Sequence, residues 1–176
     1  MRKIINKFAI ICALMAMSIS ILAQGNHYFK NNTLTDPYGK FQLSFSNEPK
    51  YSFQDIETAV GPVRMYMFMM ETQDAAFMVS YVDYPADMVA KANKDDMLKG
   101  ALNGYINHLK LTLRSENKIN YGQHPGLLFY ADNGEMYTVL RDFLVNNRLY
   151  QLGILKMSEI SVQVENEFFD SFVLKN

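Results

Sequence analysis

The sequence predicts an α+β protein in which a mostly antiparallel sheet of six or seven strands is covered by one long helix and one C-terminal helix. Short runs rich in β-branched and aromatic residues recur between turn signals. Apolar residues at steps of three and four mark a long helix within residues 86–110. A second helix, beginning near Ser158, carries Phe168 and Phe169 on its later turns.

A hairpin over residues 136–155 is the clearest element. Two β-rich runs flank Asn146 and Asn147, and Asn tolerates positive φ, so we predict a two-residue type I′ turn. That register pairs residues on one face as follows: Val145 with Arg148, Phe143 with Tyr150, Arg141 with Leu152, and Val139 with Ile154. Both faces are partly apolar, so we expect both to be covered.

The remaining elements follow in chain order from turn residues and periodicity. Strands are predicted over residues 40–45, 51–58, 63–72, 75–84, 111–121 and 127–131. Within the long helix, Gly100 and Gly104 are spaced one turn apart, which predicts a close approach of this helix to the sheet.

The N-terminal residues have the pattern of an export signal. Arg2, Lys3 and Lys7 precede an apolar run over 8–22, and Ala23 offers a small residue for cleavage. The alternative is a retained N-terminal anchor. We predict a signal peptide over 1–23, a flexible polar arm over 24–36 and a single domain over 37–176.

Composition narrows the function classes for the exported form. Cleavage after Ala23 would remove three of 17 basic residues and none of 18 acidic ones, leaving 153 residues with a net charge of −4. That balance argues against nucleic acid as a partner. The single cysteine, Cys12, would be lost, which excludes disulfides and thiolate chemistry. We expect a periplasmic or extracellular location and no membrane span after cleavage.

Several packing and turn elements resemble those of the Mog1/PsbP-like family, which includes secreted bacterial members. The resemblance covers most of the mature chain and rests on five segments: 39–49 with its Gly-Lys-Phe opening, Tyr81-Val82-Asp83-Tyr84-Pro85, Gly122-Gln123-His124-Pro125-Gly126, the hairpin of 141–152, and Asp170-Ser171-Phe172. The proline of the first segment, Pro49, comes later than the family pattern has it. The resemblance implies an α/β/α sandwich that binds other proteins, and it implies no catalytic residues.

A methionine-rich strand is the one candidate metal site. Met65, Met67 and Met69 alternate along a predicted strand and therefore share a face. Thioether sulfur is a ligand for Cu(I), which makes a copper carrier one hypothesis. The alternative is that methionine fills irregular space under a helix.

Arginine and aromatic residues share a face of the central hairpin. Arg141, Phe143, Arg148 and Tyr150 form the kind of patch that binds proteins, and we predict a partner surface there. The alternative is that Arg141 pairs with a carboxylate within the sheet, or packs its stem along the sheet with its charged end in water.

No arrangement of residues in the sequence is typical of an enzyme. His27, His108 and His124 lack the i, i+4 spacing of a zinc site, and Gly-x-Ser-x-Gly is absent. We therefore expect an exported, non-enzymatic binding or accessory domain without a cofactor, which engages a protein or an envelope component. A small-ligand carrier, a Cu(I) carrier and an enzyme without a recognisable motif remain alternatives.

Overall fold

A computed structural model describes residues 27–58 and 61–175. The predicted signal peptide lies outside this range. The strands are β1 Tyr28–Lys30, β2 Thr33–Asp36, β3 Phe41–Ser44, β4 Lys50–Thr58, β5 Gly61–Glu71, β6 Ala75–Asp83, β7 Thr112–Tyr121, β8 His124–Asp132, β9 Tyr137–Val145, β10 Arg148–Lys156 and β11 Val173–Leu174. The helices are α1 Ala86–Val89, α2 Lys94–Leu109 and α3 Val162–Phe169.

Seven strands form a large antiparallel sheet in the order β4-β5-β6-β10-β9-β8-β7. The predicted α+β class is confirmed at this level, and so is the register of the central hairpin, including Phe143 opposite Tyr150. The predicted type I′ turn at Asn146 and Asn147 was wrong. Only the first residue of the turn, Asn146, has a positive φ (56°), whereas type I′ needs a positive φ at both. The side chain of Asn147 instead donates a hydrogen bond to the carbonyl of Tyr84 at 2.9 Å.

Helices α1 and α2 lie on one face of the large sheet. The sequence predicted a single helix here, but Asn93 starts a new one. Its side chain accepts hydrogen bonds from the backbone N–H groups of Asp95 and Asp96, and this cap separates α2 from the short α1. Leu98 and Leu102 are buried beneath α2.

A second sheet, in the order β1-β2-β3-β11, covers the opposite face together with α3. The sequence did not predict this sheet. The strand expected over 40–45 was placed in the large sheet, but it pairs with β2 and β11 instead. Alternation of apolar residues shows that a strand buries one face, and it does not show which strand lies beside it.

A flexible arm was predicted over 24–36, and this prediction was wrong for the residues of that range that the structure describes. Residues 28–36 form a hairpin around Asn31 and Asn32, which have φ values of 50° and 59°. These two positive angles are what a type I′ turn requires. Leu34 is buried against the large sheet, so one apolar side chain in a polar segment fixes the hairpin in place.

Among the residues that the structure describes, no helix combines the length and the apolar character needed to cross a bilayer.

We predict that Gly126→Ala destabilises the protein by about 1–3 kcal/mol, the usual cost of overpacking. A Cβ atom on Gly126 would lie 2.4 Å from the backbone oxygen of Asp142, which cannot move without disturbing β9. Urea unfolding measures the change. Gly100→Ala is the matched control, since nothing lies within 4 Å of its Cβ, and it should stabilise the protein by about 1 kcal/mol. Equal stability of the two variants would contradict the packing of β8 on β9.

Candidate functional site

A large concave space lies between the helices and one half of the large sheet. Helix α2 packs on β8 and β9, and Tyr105 on this helix contacts both strands. Its hydroxyl lies 3.1 Å from the Thr138 hydroxyl, and its ring meets the Phe129 ring at 5.9 Å. Beside these two strands, β10, β6, β5 and β4 contribute side chains to an open space on the helix side of the sheet. The space over these strands has a volume of about 1000 Å³, and we call it the trough.

The floor of the trough is mainly apolar. Alternating side chains of four strands point to the helix side of the sheet and line it: Ile56, Met65, Met67, Met78, Val82 and Leu149. Met88 and Met97 add two more thioethers from the helix side. Five methionines thus surround one cavity, and their flexible, polarizable side chains can adapt to the shape of an apolar occupant.

The helical wall of the trough is made of small residues. Gly100, Ala101 and Gly104 all line it. We predicted that the two glycines bring α2 close to the sheet, and that was wrong, because no atom lies within 4 Å of a Cβ built on either one. The glycines widen the trough instead, and each lowers the helix propensity of α2 by about 1 kcal/mol relative to alanine.

Polar side chains form one row across the floor. Strand pairing sets Ser80 opposite Gln151 and Gln151 opposite Asp142, so the three lie side by side on adjacent strands. Ser80 and Gln151 line the trough, and the Gln151 amide donates a hydrogen bond of 3.1 Å to Asp142 Oδ2. The other oxygen, Asp142 Oδ1, is buried and has no hydrogen-bond partner.

The electrostatics of this row are set by Asp142, whose side chain is fully buried (0% exposed). Burial raises the pKa of Asp142 to about 8, against the opposing effect of the hydrogen bond from Gln151. The carboxyl group is therefore mainly protonated and uncharged at neutral pH. Tyr84, which lines the trough, has a pKa raised first by its own burial and then by the nearby Asp142.

The three methionines predicted as Cu(I) ligands lie on the helix side of the sheet, as expected from their alternation. Met65 and Met67 line the trough. Met69 is not part of its lining and pairs with Met78 on β6. Within the described part of the chain, no three His, Cys, Asp or Glu side chains group closely enough to hold a metal ion.

The predicted partner patch lies on the opposite, covered face. Its four residues share a face as predicted, but Phe143 and Tyr150 are buried under the small sheet and α3. An exposed binding patch at this position was therefore wrong, because the sequence did not reveal the second sheet.

Both arginines of that patch have partners within the fold. Arg148 binds Asp83 through two hydrogen bonds of 2.6 and 2.7 Å, and it also donates to the Tyr38 carbonyl. Burial lowers the pKa of Arg148, but hydrogen bonds to Asp83 and Tyr150 outweigh that effect and raise it. Arg141 pairs with Asp170 at 3.2 Å. The sequence left open that Arg141 pairs with a carboxylate within the sheet; it does pair with a carboxylate, but Asp170 lies at the end of α3 and not in the sheet.

The three histidines lie in separate places. His27 packs against the rings of Tyr51 and Phe68, with centroids 4.9 Å away in both cases. His108 lines the trough from the last turn of α2. His124 lines a second, polar cleft of about 630 Å³ beside the Asn146 turn, where Arg148 is already paired with Asp83.

Sequence reasoning missed Ser80, Gln151 and Asp142. A signal for Asp142 was present, since a carboxylate between Leu140 and Leu144 on one face of a strand is costly to bury. The correct hairpin register also placed Gln151 opposite it. Ser80 joins the row only through the pairing of β6 with β10, which are distant in sequence.

Replacing Asp142 tests its charge state. Because its pKa is raised from 3.8 to about 8, the folded protein holds the proton more tightly than the unfolded chain does. Stability is then full at low pH and falls as pH rises from about 4 to 8, by up to about 1.4 kcal/mol per pH unit. Asp142→Asn should remove this fall, so that the variant has the higher Tm at pH 9.

The control is Asp55→Asn. Asp55 is exposed, and its hydrogen bonds with Arg64 lower its pKa, so this variant should leave the pH dependence of Tm between pH 4 and 8 unchanged. The measurement is thermal unfolding by circular dichroism from pH 4 to 9. If Asp142→Asn keeps the slope of the unmodified protein, the carboxyl group is not buried in its neutral form.

Comparison with known proteins leaves the family open. No family model matches the chain, and no curated protein is a detectable relative. A crystal structure from Bacteroides thetaiotaomicron VPI-5482 is similar with a TM-score of 0.39 and 11% sequence identity, over 88% of this chain and 50% of that one. This chain thus spans about half the length of that protein. The resemblance to the Mog1/PsbP-like family stays a prediction.

Proposed function

We propose that this protein is an exported, non-enzymatic binding protein that holds an apolar molecule of the cell envelope in the trough. One observation carries the proposal: a cavity of about 1000 Å³ with a mainly apolar floor lies between the helices and one half of the large sheet. Ligand sites of drug-sized molecules have volumes of roughly 300–1000 Å³, so the trough has room for a large ligand or a long chain.

The composition of the trough supports an apolar ligand. Burial of apolar surface is worth about 25 cal/mol per Å², so an apolar ligand gains free energy when it leaves water for a floor of Met, Val, Leu and Ile. Met67 and Met78 are packed in place within the sheet, whereas Met88 and Met97 approach from the helices. Flexible methionines on the helix wall suit ligands of varied shape better than a fixed, branched lining would.

We also propose the family and the compartment. An antiparallel sheet with helix α2 on one face and helix α3 on the other supports a Mog1/PsbP-like sandwich, although here a second sheet shares the α3 side. The basic and apolar pattern of residues 1–23 supports export to the periplasm or beyond the cell. An accessory role next to a protein partner is compatible with a trough that delivers or holds a lipid-like molecule.

A Cu(I) carrier is the second candidate, favoured by the five thioethers around one cavity. The two functions separate in one measurement. If the trough serves an apolar ligand, Cu(I) added under reducing conditions leaves Tm unchanged. A rise in Tm that Met67→Leu abolishes would favour the metal instead.

We predict that Gly104→Phe abolishes binding of a neutral apolar fluorophore such as N-phenyl-1-naphthylamine. The new ring would occupy the trough, where no atom lies within 4 Å of the added Cβ. Affinity should fall at least about tenfold, while Tm stays equal or rises, because any side chain favours the helix over glycine. A fluorescence titration and a thermal melt measure the two effects.

Gly104→Ala is the matched control. It should gain a similar helix propensity, leave most of the trough open and bind the fluorophore as the unmodified protein does. Binding that is equally strong in Gly104→Phe, or absent from the unmodified protein, would contradict the proposed function.

A further inference from the structure

The charges around the trough indicate which polar group its ligand carries. We propose that the occupant is a single-chain amphiphile with an uncharged, hydrogen-bonding head group, a hydroxyl or an amide, and that this group meets the Ser80–Gln151–Asp142 row. The inference rests on the proposed function and specifies the chemical class of its ligand.

Anionic head groups are disfavoured by the lining itself. None of the residues that line the trough is lysine or arginine, whereas Glu57 and Asp96 both do so. Moving a carboxylate out of water costs several kcal/mol unless a cation or several donors receive it. An ionised fatty acid would find two carboxylates here, no lysine or arginine, and one histidine, His108, at the end of α2.

Cationic head groups are disfavoured at the floor. The one acidic group of the polar row, Asp142, lies fully buried behind Gln151 and is bonded to its amide, so it does not line the trough directly. Glu57 and Asp96 are exposed, so an ammonium group could meet them only where it stays in water, and at the floor it would have to leave water without reaching a carboxylate. A neutral head group pays the smallest desolvation cost among the three classes.

The polar row can bind a neutral head group through several hydrogen bonds. Ser80 lies on the floor, only 1% exposed, with a hydroxyl that can donate and accept. Gln151 uses its amide N–H toward Asp142, which leaves its carbonyl oxygen as an acceptor for a ligand hydroxyl. On β5, the residue beside Ser80 is Met67, so the polar row ends at an apolar residue on this side of the sheet.

The position of the row also explains an unusual feature of the core. A buried carboxyl oxygen without a partner, such as Asp142 Oδ1, is rare and costly. As a neutral acid, Asp142 accepts from Gln151 and so orients the amide that faces the trough. Asp142 is thus a positioning residue for Gln151 rather than a direct contact of the ligand.

The test uses three ligands with the same chain: dodecan-1-ol, dodecanoate and dodecyltrimethylammonium. Each displaces N-phenyl-1-naphthylamine from the full mature chain at pH 7, with the two ions below their micellar concentrations and the alcohol below its solubility limit. We expect the alcohol to displace the fluorophore at a concentration at least about tenfold lower than the concentration that either ion needs. The reason is that the alcohol gains one hydrogen bond to the row and avoids the cost of desolvating a charge.

Two variants connect this preference to the row. Ser80→Ala and Gln151→Met should each weaken the alcohol about fivefold, as loss of one hydrogen bond predicts, and leave the affinity for the fluorophore unchanged. Gln163→Met, on the exposed surface of α3, is the control and should change neither. If one variant fails to fold, the other still decides the outcome.

The outcomes separate the two proposals. If the fluorophore binds in the trough but the three ligands displace it equally, or an ion displaces it best, the head-group inference is overturned and the proposed function stands. The inference also fails if neither variant affects the alcohol. If Gly104→Phe binds the fluorophore normally, the proposed function itself is wrong.

Discussion

One helix is too narrow to cover a seven-stranded sheet, and the rest of the structure depends on this mismatch. Six interstrand spacings of about 4.8 Å make the sheet about 29 Å wide, whereas a helix with its side chains is about 10 Å across. Helix α2 packs on β8 and β9, at one side of the sheet. On the opposite face, the second sheet and α3 together cover the centre of the large sheet.

The half of the sheet that faces the trough is built differently from the half that lies under α2. Under α2 the core consists of Leu98, Leu102, Phe129 and Leu140, all tightly buried. In the trough, methionine and glycine take their place, together with the polar row. Glycine in α2 lowers helix propensity, and a buried, partly unpaired Asp142 lowers stability as well. Both features lower the stability of the fold, and a ligand site in the trough would explain why they are present.

The sequence predicted local structure well and the arrangement of layers poorly. The register of the central hairpin followed from a two-residue turn and alternating side chains, both of which are local. The second sheet pairs β3 with β11, which lie far apart in the sequence, and such a pairing produces no periodic pattern in the sequence. For the same reason Arg148 and Tyr150 were expected at a surface. The one-turn spacing of Gly100 and Gly104 is evident in the sequence. The same spacing is found where a helix packs closely on a sheet and where a helix lines an open cavity, as it does here.

Methyl resonances of methionine test the trough as a binding site most directly. In a sample labelled with ¹³C at the methionine methyl groups, saturating dodecan-1-ol should shift the signals of the five that line the trough: Met65, Met67, Met78, Met88 and Met97. Met70, buried on the opposite face against the small sheet, should stay in place. Unchanged signals from all five, or a shift of Met70 as large as theirs, would contradict the account.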